Sequence, residues 1–178
     1  MVEARPPGLL ELRWRVIAST ALAMRKKGVM RHDVGPARVA LRLVAFGLGV
    51  FFLAMSYNKL TWLGDPAQLT GRFERWLPNA SPYARMYLHY VAIPGGTVFA
   101  RVVPISEFLT ALSMLTGVYV NVAAAAALFM ILNFHTATSS FSSIEFLRDG
   151  TGPPMIAALL ALAVAGRGLP YSLRFNGK

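Results

Sequence analysis

Three polar side chains lie inside stretches that are otherwise apolar enough for the interior of a membrane. Glu107 stands in "VVPISEFLTAL", and Asn133 and His135 stand in "ILNFHTA". A charge is costly in hydrocarbon, so an ionisable residue at such a position faces a partner, a cavity or a ligand. A carboxylate and an imidazole at one depth could exchange protons or hydrogen bonds with a small polar headgroup. The first question is whether these three side chains can share one layer.

The segments that carry them have the length of membrane-spanning helices, which need about 20 apolar residues. Four such segments cover about 38–58, 97–119, 121–142 and 153–170. Charged residues make up only 15% of the chain, against about 25% in soluble domains. The sequence therefore predicts an all-α, integral membrane four-helix bundle with an N-terminal amphipathic interfacial helix. The bundle domain is expected over 37–178, with 59–96 as a long aromatic outer loop.

A short connection between the second and third spans allows the depth of the polar residues to be compared. Only "GVYVN" (117–121) joins these spans, so they are predicted to form a tight antiparallel hairpin. With the turn centred at Val120, Glu107 lies 13 residues before it and Asn133 lies 13 residues after it. At about 1.5 Å per residue, both lie roughly 20 Å from the turn, with His135 about 3 Å further. Glu107, Asn133 and His135 can therefore share one layer.

Polar residues continue beyond this layer toward the outer end of the third span. His135, Thr138, Ser139 and Ser142 follow the i, i+3, i+4, i+7 spacing of one helix face. Arg101, near the start of the second span, could either reach the membrane surface or line the same outer pocket.

The candidate ligand-binding residues, with no catalytic residue assigned, are Glu107, Asn133, His135, Arg101 and Ser139. An alternative stays open for Glu107, in which a hydrogen bond to Asn133 or His135 only fixes the bundle. For His135 the alternative is an imidazole that only packs between helices.

The ligand classes are narrowed by residues that the sequence lacks. There is no cysteine, and no spacing of histidines typical of zinc, so no metal site is predicted. No covalently bound cofactor is expected, and a quinone is a possible ligand that a family resemblance, described below, implies. A tetrapyrrole held by His135 as its single ligand is a further option. A haem with two histidine ligands is excluded within this chain, because His32 and His89 are expected at other depths.

The basic residues predict topology rather than nucleic acid binding. The net charge is +10, and nine of the 18 Lys and Arg residues lie within 1–42. The positive-inside rule then places both termini on the cytoplasmic side of the membrane, which is expected to be a bacterial-type inner membrane. The arm 1–36 is expected to lie on anionic lipid through an amphipathic helix at 8–27, or to dock a partner subunit. The expected partners are the bilayer and other membrane subunits, and no nucleic acid.

Several segments over about 38–172 resemble the DoxX/DoxD-like family of small four-helix integral membrane proteins. They are "SYNKLTWL", "FERWLPNASPYARMYL", "VVPISEFLTALSMLTGVYVNVAAA" and "AGRGLPYSL". Ser106 and Ala111 stand where the family pattern has glycines. The resemblance implies a subunit of a quinone-linked electron-transfer assembly that is not catalytic as an isolated chain. The alternative is a purely structural accessory subunit of a larger respiratory or photosynthetic membrane complex.

Overall fold

The computed structural model of the chain describes residues 35–173, without the side chains of residues 142 and 145. The chain divides into two units between Gly35 and Pro36. The amphipathic helix predicted at 8–27 lies outside the described residues. All regular secondary structure in the described part is helical.

The described residues form eight α-helices, which we number in chain order. They are α1 (Pro36–Tyr57), α2 (Thr61–Gly64), α3 (Ala67–Trp76), α4 (Pro82–Tyr87), α5 (Gly96–Thr116), α6 (Val120–Ala137), α7 (Glu145–Arg148) and α8 (Pro153–Ala165). A single π-helical turn, Leu88–Ala92, follows α4 directly.

Three of these helices, α1, α5 and α6, are long and apolar enough to span a membrane. This agrees with a membrane helical bundle. Helix α8 begins at the predicted prolines, whose fixed φ suits a first helical turn. It ends at Ala165 rather than near 170, because the glycines at 166 and 168 and Pro170 interrupt it. Its 13 residues are about 20 Å long, short of the ~30 Å hydrocarbon core. A fourth membrane span therefore stays a prediction.

The predicted hairpin between the second and third spans is present. Helix α5 ends at Thr116 and α6 begins at Val120. Gly117 adopts a left-handed conformation with φ of 80°, and a Cβ at this position would collide with Ser172. Glycine is therefore required at this turn, both for its φ and for the close approach of the C-terminal segment.

Helix α1 packs closely along α5, and two residues of α1, Gly49 and Arg42, account for this close packing. A Cβ added at Gly49 would lie 2.9 Å from Cγ of Leu115, so the glycine lets the two helices approach. Arg42 is buried and donates hydrogen bonds of 2.6 Å to the carbonyls of Met114 and Leu115. Arg42 thus satisfies carbonyls at the C-terminal end of α5 that no helical N–H can reach. This contact is additional to its expected role as one of the basic residues that predict topology.

The third span is shorter than predicted. Helix α6 ends at Ala137, and Ser139 has a positive φ of 59°. Hydroxyls of Thr136 and Thr138 bond back to carbonyls of the preceding turn, a competition with the backbone that disfavours continued helix. The predicted polar face linking His135 to Thr138, Ser139 and Ser142 is therefore wrong.

The short helices of the 59–96 loop pack inward against the bundle. They bury apolar side chains in a second core, which includes Trp62, Leu69, Phe73 and Leu88 together with Ala100 of α5. We call this end of the bundle the loop end. The first core, around Phe52, lies among α1, α5, α6 and α8.

Candidate functional site

A cavity of about 100 Å³ lies at the loop end, with walls from α1, α5, α6 and the short helices. Aromatic rings form much of its wall, among them Phe52, Trp62 and Phe99. Its polar groups include Glu107, Asn133 and His135, so the structure brings together the three residues that share a predicted depth. The volume is several times the ~10–15 Å³ that one water molecule requires.

Glu107 does not use the partners proposed from sequence. Its Oε1 accepts a hydrogen bond from Nζ of Lys59 in a buried ion pair, rather than from Asn133 or His135. Lys59 follows the end of α1 by two residues, and its long side chain spans the gap to α5. Glu107 is only 4% exposed and Lys59 only 8%. Neutralising one buried charge with another avoids the high cost of an isolated ion.

Lys59 is also placed against an indole. Its Nζ lies 5.6 Å from the centre of the Trp62 ring, and the guanidinium of Arg72 lies 5.1 Å from the same ring. Both distances are within the range of cation–π attraction. Trp62 therefore helps to hold the ammonium group at the cavity wall.

Asn133 forms a hydrogen bond with the phenol of Tyr87, which also lines the cavity. Burial raises the pKa of the Tyr87 phenol, and the bond to Asn133 offsets part of that rise. Tyr87 is therefore neutral at physiological pH. The pair connects α6 to α4. It fixes the amide of Asn133, for which the sequence suggested Glu107 as a partner.

His135 is oriented by the loop that precedes α8. Its Nε2 lies 2.9 Å from the carbonyl oxygen of Thr151, and its ring meets Phe146 edge-on at 5.1 Å. Thr151 is in turn held by Asp149, whose carboxylate accepts bonds from its hydroxyl and its backbone N–H at 2.6 and 3.0 Å. These bonds lower the pKa of Asp149 below its usual value. The imidazole thus has one nitrogen, Nε2, fixed by this loop.

Two buried polar atoms of the described residues have no hydrogen-bond partner in the protein. They are Oε2 of Glu107 and Nδ1 of His135. His135 is 2% exposed, and both residues line the same cavity. Leaving a buried polar atom unpaired costs about 1–3 kcal/mol, so such atoms call for a water or ligand partner.

The other two candidate residues lie elsewhere. Arg101 is exposed on α5 and is not part of the cavity wall. The hydroxyl of Ser139 accepts a bond of 3.0 Å from the backbone N–H of Ser81 and contacts the Ser81 hydroxyl. Ser139 therefore ties the end of α6 to the loop and does not reach the cavity.

An open apolar groove of about 440 Å³ runs along α5 and α6 beside the cavity. The cavity and the groove share four wall residues, Phe99, Val103, Met130 and Asn133. The groove is otherwise lined mainly by apolar side chains such as Leu109 and Phe129. The aromatic-walled cavity, with its few polar groups, and the apolar groove thus share part of their walls.

Sequence reasoning missed Lys59, Tyr87 and Thr151 as contributors. Lys59 follows the first span directly, and a lysine in that position can reach back toward a buried acid. Tyr87 belongs to an aromatic loop, and the loop sequence has no hydrophobic periodicity that would predict its inward packing. Nothing in the sequence signals that the carbonyl of Thr151 would meet His135.

The described residues include no group of three or more His, Asp or Glu side chains that could hold a metal ion. The single-ligand tetrapyrrole at His135 stays a prediction. Compared with known protein families, curated proteins and solved structures, the chain matches none.

Proposed function

We propose that the protein is a DoxX-like integral membrane subunit of a quinone-linked electron-transfer assembly, not catalytic as an isolated chain. In this proposal the cavity holds a quinone-type headgroup. The observation that carries it is the pair of unpartnered buried atoms, Oε2 of Glu107 and Nδ1 of His135, on two residues that line one aromatic-walled cavity.

The chemistry of the walls supports a flat ring with polar substituents. Ligand sites are mostly apolar and aromatic, with a few placed polar groups that fix orientation. Here the rings of Phe52, Trp62 and Phe99 offer apolar faces, and Glu107 and His135 offer the hydrogen-bonding atoms. A benzoquinone-type headgroup has this combination of flat apolar body and polar edges.

The neighbouring groove supports a ligand with a long apolar tail. It meets the cavity at Phe99 and Met130 and follows α5 and α6. Both helices are long and apolar enough to cross a membrane. An isoprenoid-type tail could lie in the groove while the headgroup occupies the cavity.

The proposed setting is a bacterial-type inner membrane with both termini in the cytoplasm. The basic arm 1–36 would rest on anionic lipid, and other membrane subunits would supply or remove the electrons. The charge distribution of the sequence supports this orientation, because most of the 18 Lys and Arg residues lie near the termini.

Binding in lipid nanodiscs tests the proposal directly. A short-tailed benzoquinone and its quinol would be titrated anaerobically, with quenching of tryptophan fluorescence as the signal. His135→Phe keeps a ring against Phe146 but removes Nδ1. His89→Phe is the matched control, because His89 is exposed and outside the cavity.

We expect saturable binding of at least one form to the unmodified protein. His135→Phe should raise the Kd about tenfold, the value of one hydrogen bond of ~1.4 kcal/mol. His89→Phe should leave the Kd unchanged. Non-saturable quenching that is equal in all three proteins would contradict the proposal.

The alternative function, a purely structural accessory subunit, is favoured by one observation, the buried ion pair between Lys59 and Glu107. Such a pair could serve only to set the rotation of α1 against α5. The two functions differ in the binding experiment, because a purely structural cavity would bind neither form saturably.

A further inference from the structure

The tautomer of His135 follows from its fixed nitrogen. Nε2 lies 2.9 Å from the carbonyl oxygen of Thr151, and a carbonyl oxygen can only accept a hydrogen bond. The hydrogen of the neutral imidazole is therefore on Nε2. Nδ1 has no partner in the protein and is then an acceptor, on a residue that lines the cavity.

Glu107 presents an acceptor to the same cavity. Its Oε1 is paired with the ammonium of Lys59, so the carboxylate is ionised and acts only as an acceptor. Its second oxygen, Oε2, is buried and has no partner. Both open positions in the cavity wall thus require a donor.

Two further polar groups of the wall have partners in the protein. The ammonium of Lys59 bonds Oε1 of Glu107 and faces the Trp62 ring, and Tyr87 is bonded to Asn133. A ligand with hydroxyl groups would satisfy the two open acceptors. A ligand that only accepts, such as an oxidised quinone with its two carbonyls, would bury them unpaired at a cost in free energy.

We infer that the cavity selects the reduced, dihydroxy form of the headgroup, a hydroquinone, over the oxidised quinone. This inference rests on the proposed function and adds the redox state of the ligand. The two hydroxyl groups donate to Oε2 of Glu107 and to Nδ1 of His135. The inference concerns binding, and no electron transfer within the chain is part of it.

Three probes of one ring skeleton separate the possibilities: the short-tailed quinol, its quinone and its dimethyl ether, which keeps the ring but has no donor hydrogen. Each Kd is measured anaerobically in nanodiscs on the unmodified protein. We expect the quinol to bind at least tenfold more tightly than the quinone or the ether. A tenfold preference raises the midpoint potential of the bound two-electron couple by about 30 mV.

A second measurement does not depend on any variant folding. ¹⁵N NMR of histidine-labelled protein should show Nδ1 of His135 unprotonated in the absence of ligand. A quinone that binds as tightly as the quinol, or a protonated Nδ1, would overturn the inference while leaving the proposed function intact. Failure of all three probes to bind saturably would instead refute the proposed function.

Discussion

The buried pair of Lys59 and Glu107 leads to the most quantitative prediction. Lys59→Met removes the ammonium group but keeps an unbranched side chain of similar length beside Trp62. The substitution leaves the carboxylate of Glu107, which is 4% exposed, without its counter-ion. We therefore expect a large loss of stability from a change that barely alters volume.

The magnitude follows from the burial of both partners. Removing one member of a buried ion pair costs about 3–5 kcal/mol, because the remaining charge stays uncompensated. Lys59, at 8% exposure, is nearly as buried as its partner, so the full range applies. Replacing both members by apolar residues of similar size is often neutral. The double variant Lys59→Met/Glu107→Met should therefore lie within about 1 kcal/mol of the unmodified protein.

The assay is reversible unfolding in mixed detergent–SDS micelles, followed by tryptophan fluorescence. Arg72→Met serves as the matched control, because Arg72 also lies over the Trp62 ring but is exposed. We expect the control to cost no more than about 1 kcal/mol, the value of an exposed cation–π contact. If Lys59→Met costs no more than Arg72→Met, or if the double variant is as unstable as the single one, the reasoning is refuted.

Three further predictions use the same unfolding assay. Arg42→Met should lower the free energy of unfolding by at least about 1.5 kcal/mol, because it leaves carbonyls at the end of α5 without a partner. The control Arg101→Met, at an exposed position, should lower it by less than ~0.5 kcal/mol. Equal losses would argue against the role of Arg42 at the end of α5. Gly49→Ala should lower the free energy of unfolding by about 1–3 kcal/mol, because the added methyl group forces α1 away from α5. The control Gly47→Ala, with no atom within 4 Å of its Cβ, should not lower it. A tolerated Gly49→Ala would contradict the close approach of the two helices. The lowered pKa of Asp149 means that its bonds stabilise the fold fully above the unfolded-state value near pH ~3.9. That stabilisation is lost as the pH falls through the lower folded-state value. Asp149→Asn should therefore be less stable than the unmodified protein at pH 6 and should lose less stability between pH 6 and pH 3. An unchanged dependence of stability on pH would contradict this role of Asp149.

The hairpin and the polar layer could be predicted from sequence because one short turn determines depth on both of its helices. Rise per residue then places Glu107, Asn133 and His135 at one depth. Whether they face the same cavity depends on the rotation of the helices, which the sequence does not determine. The glycine in "GVYVN" suits this turn, since a left-handed residue ends a helix most easily as glycine.

The hydrogen-bond partners could not be predicted, because they depend on tertiary contacts. Lys59 reaches Glu107 only through the packing of α1 on α5, and Thr151 meets His135 only through the loop before α8. The end of α6 was missed for a local reason. Thr136 and Thr138 at its end fit a helical spacing but bond to carbonyls of the preceding turn, which favours ending the helix.

The measurement that tests the central proposal most directly is an experimental density map of the protein in nanodiscs containing a quinol with an isoprenoid tail. We expect ring density in the loop-end cavity, within hydrogen-bonding distance of Oε2 of Glu107 and Nδ1 of His135, with tail density along α5 and α6. A cavity holding only water at saturating quinol, or ring density confined to the lipid, would contradict it.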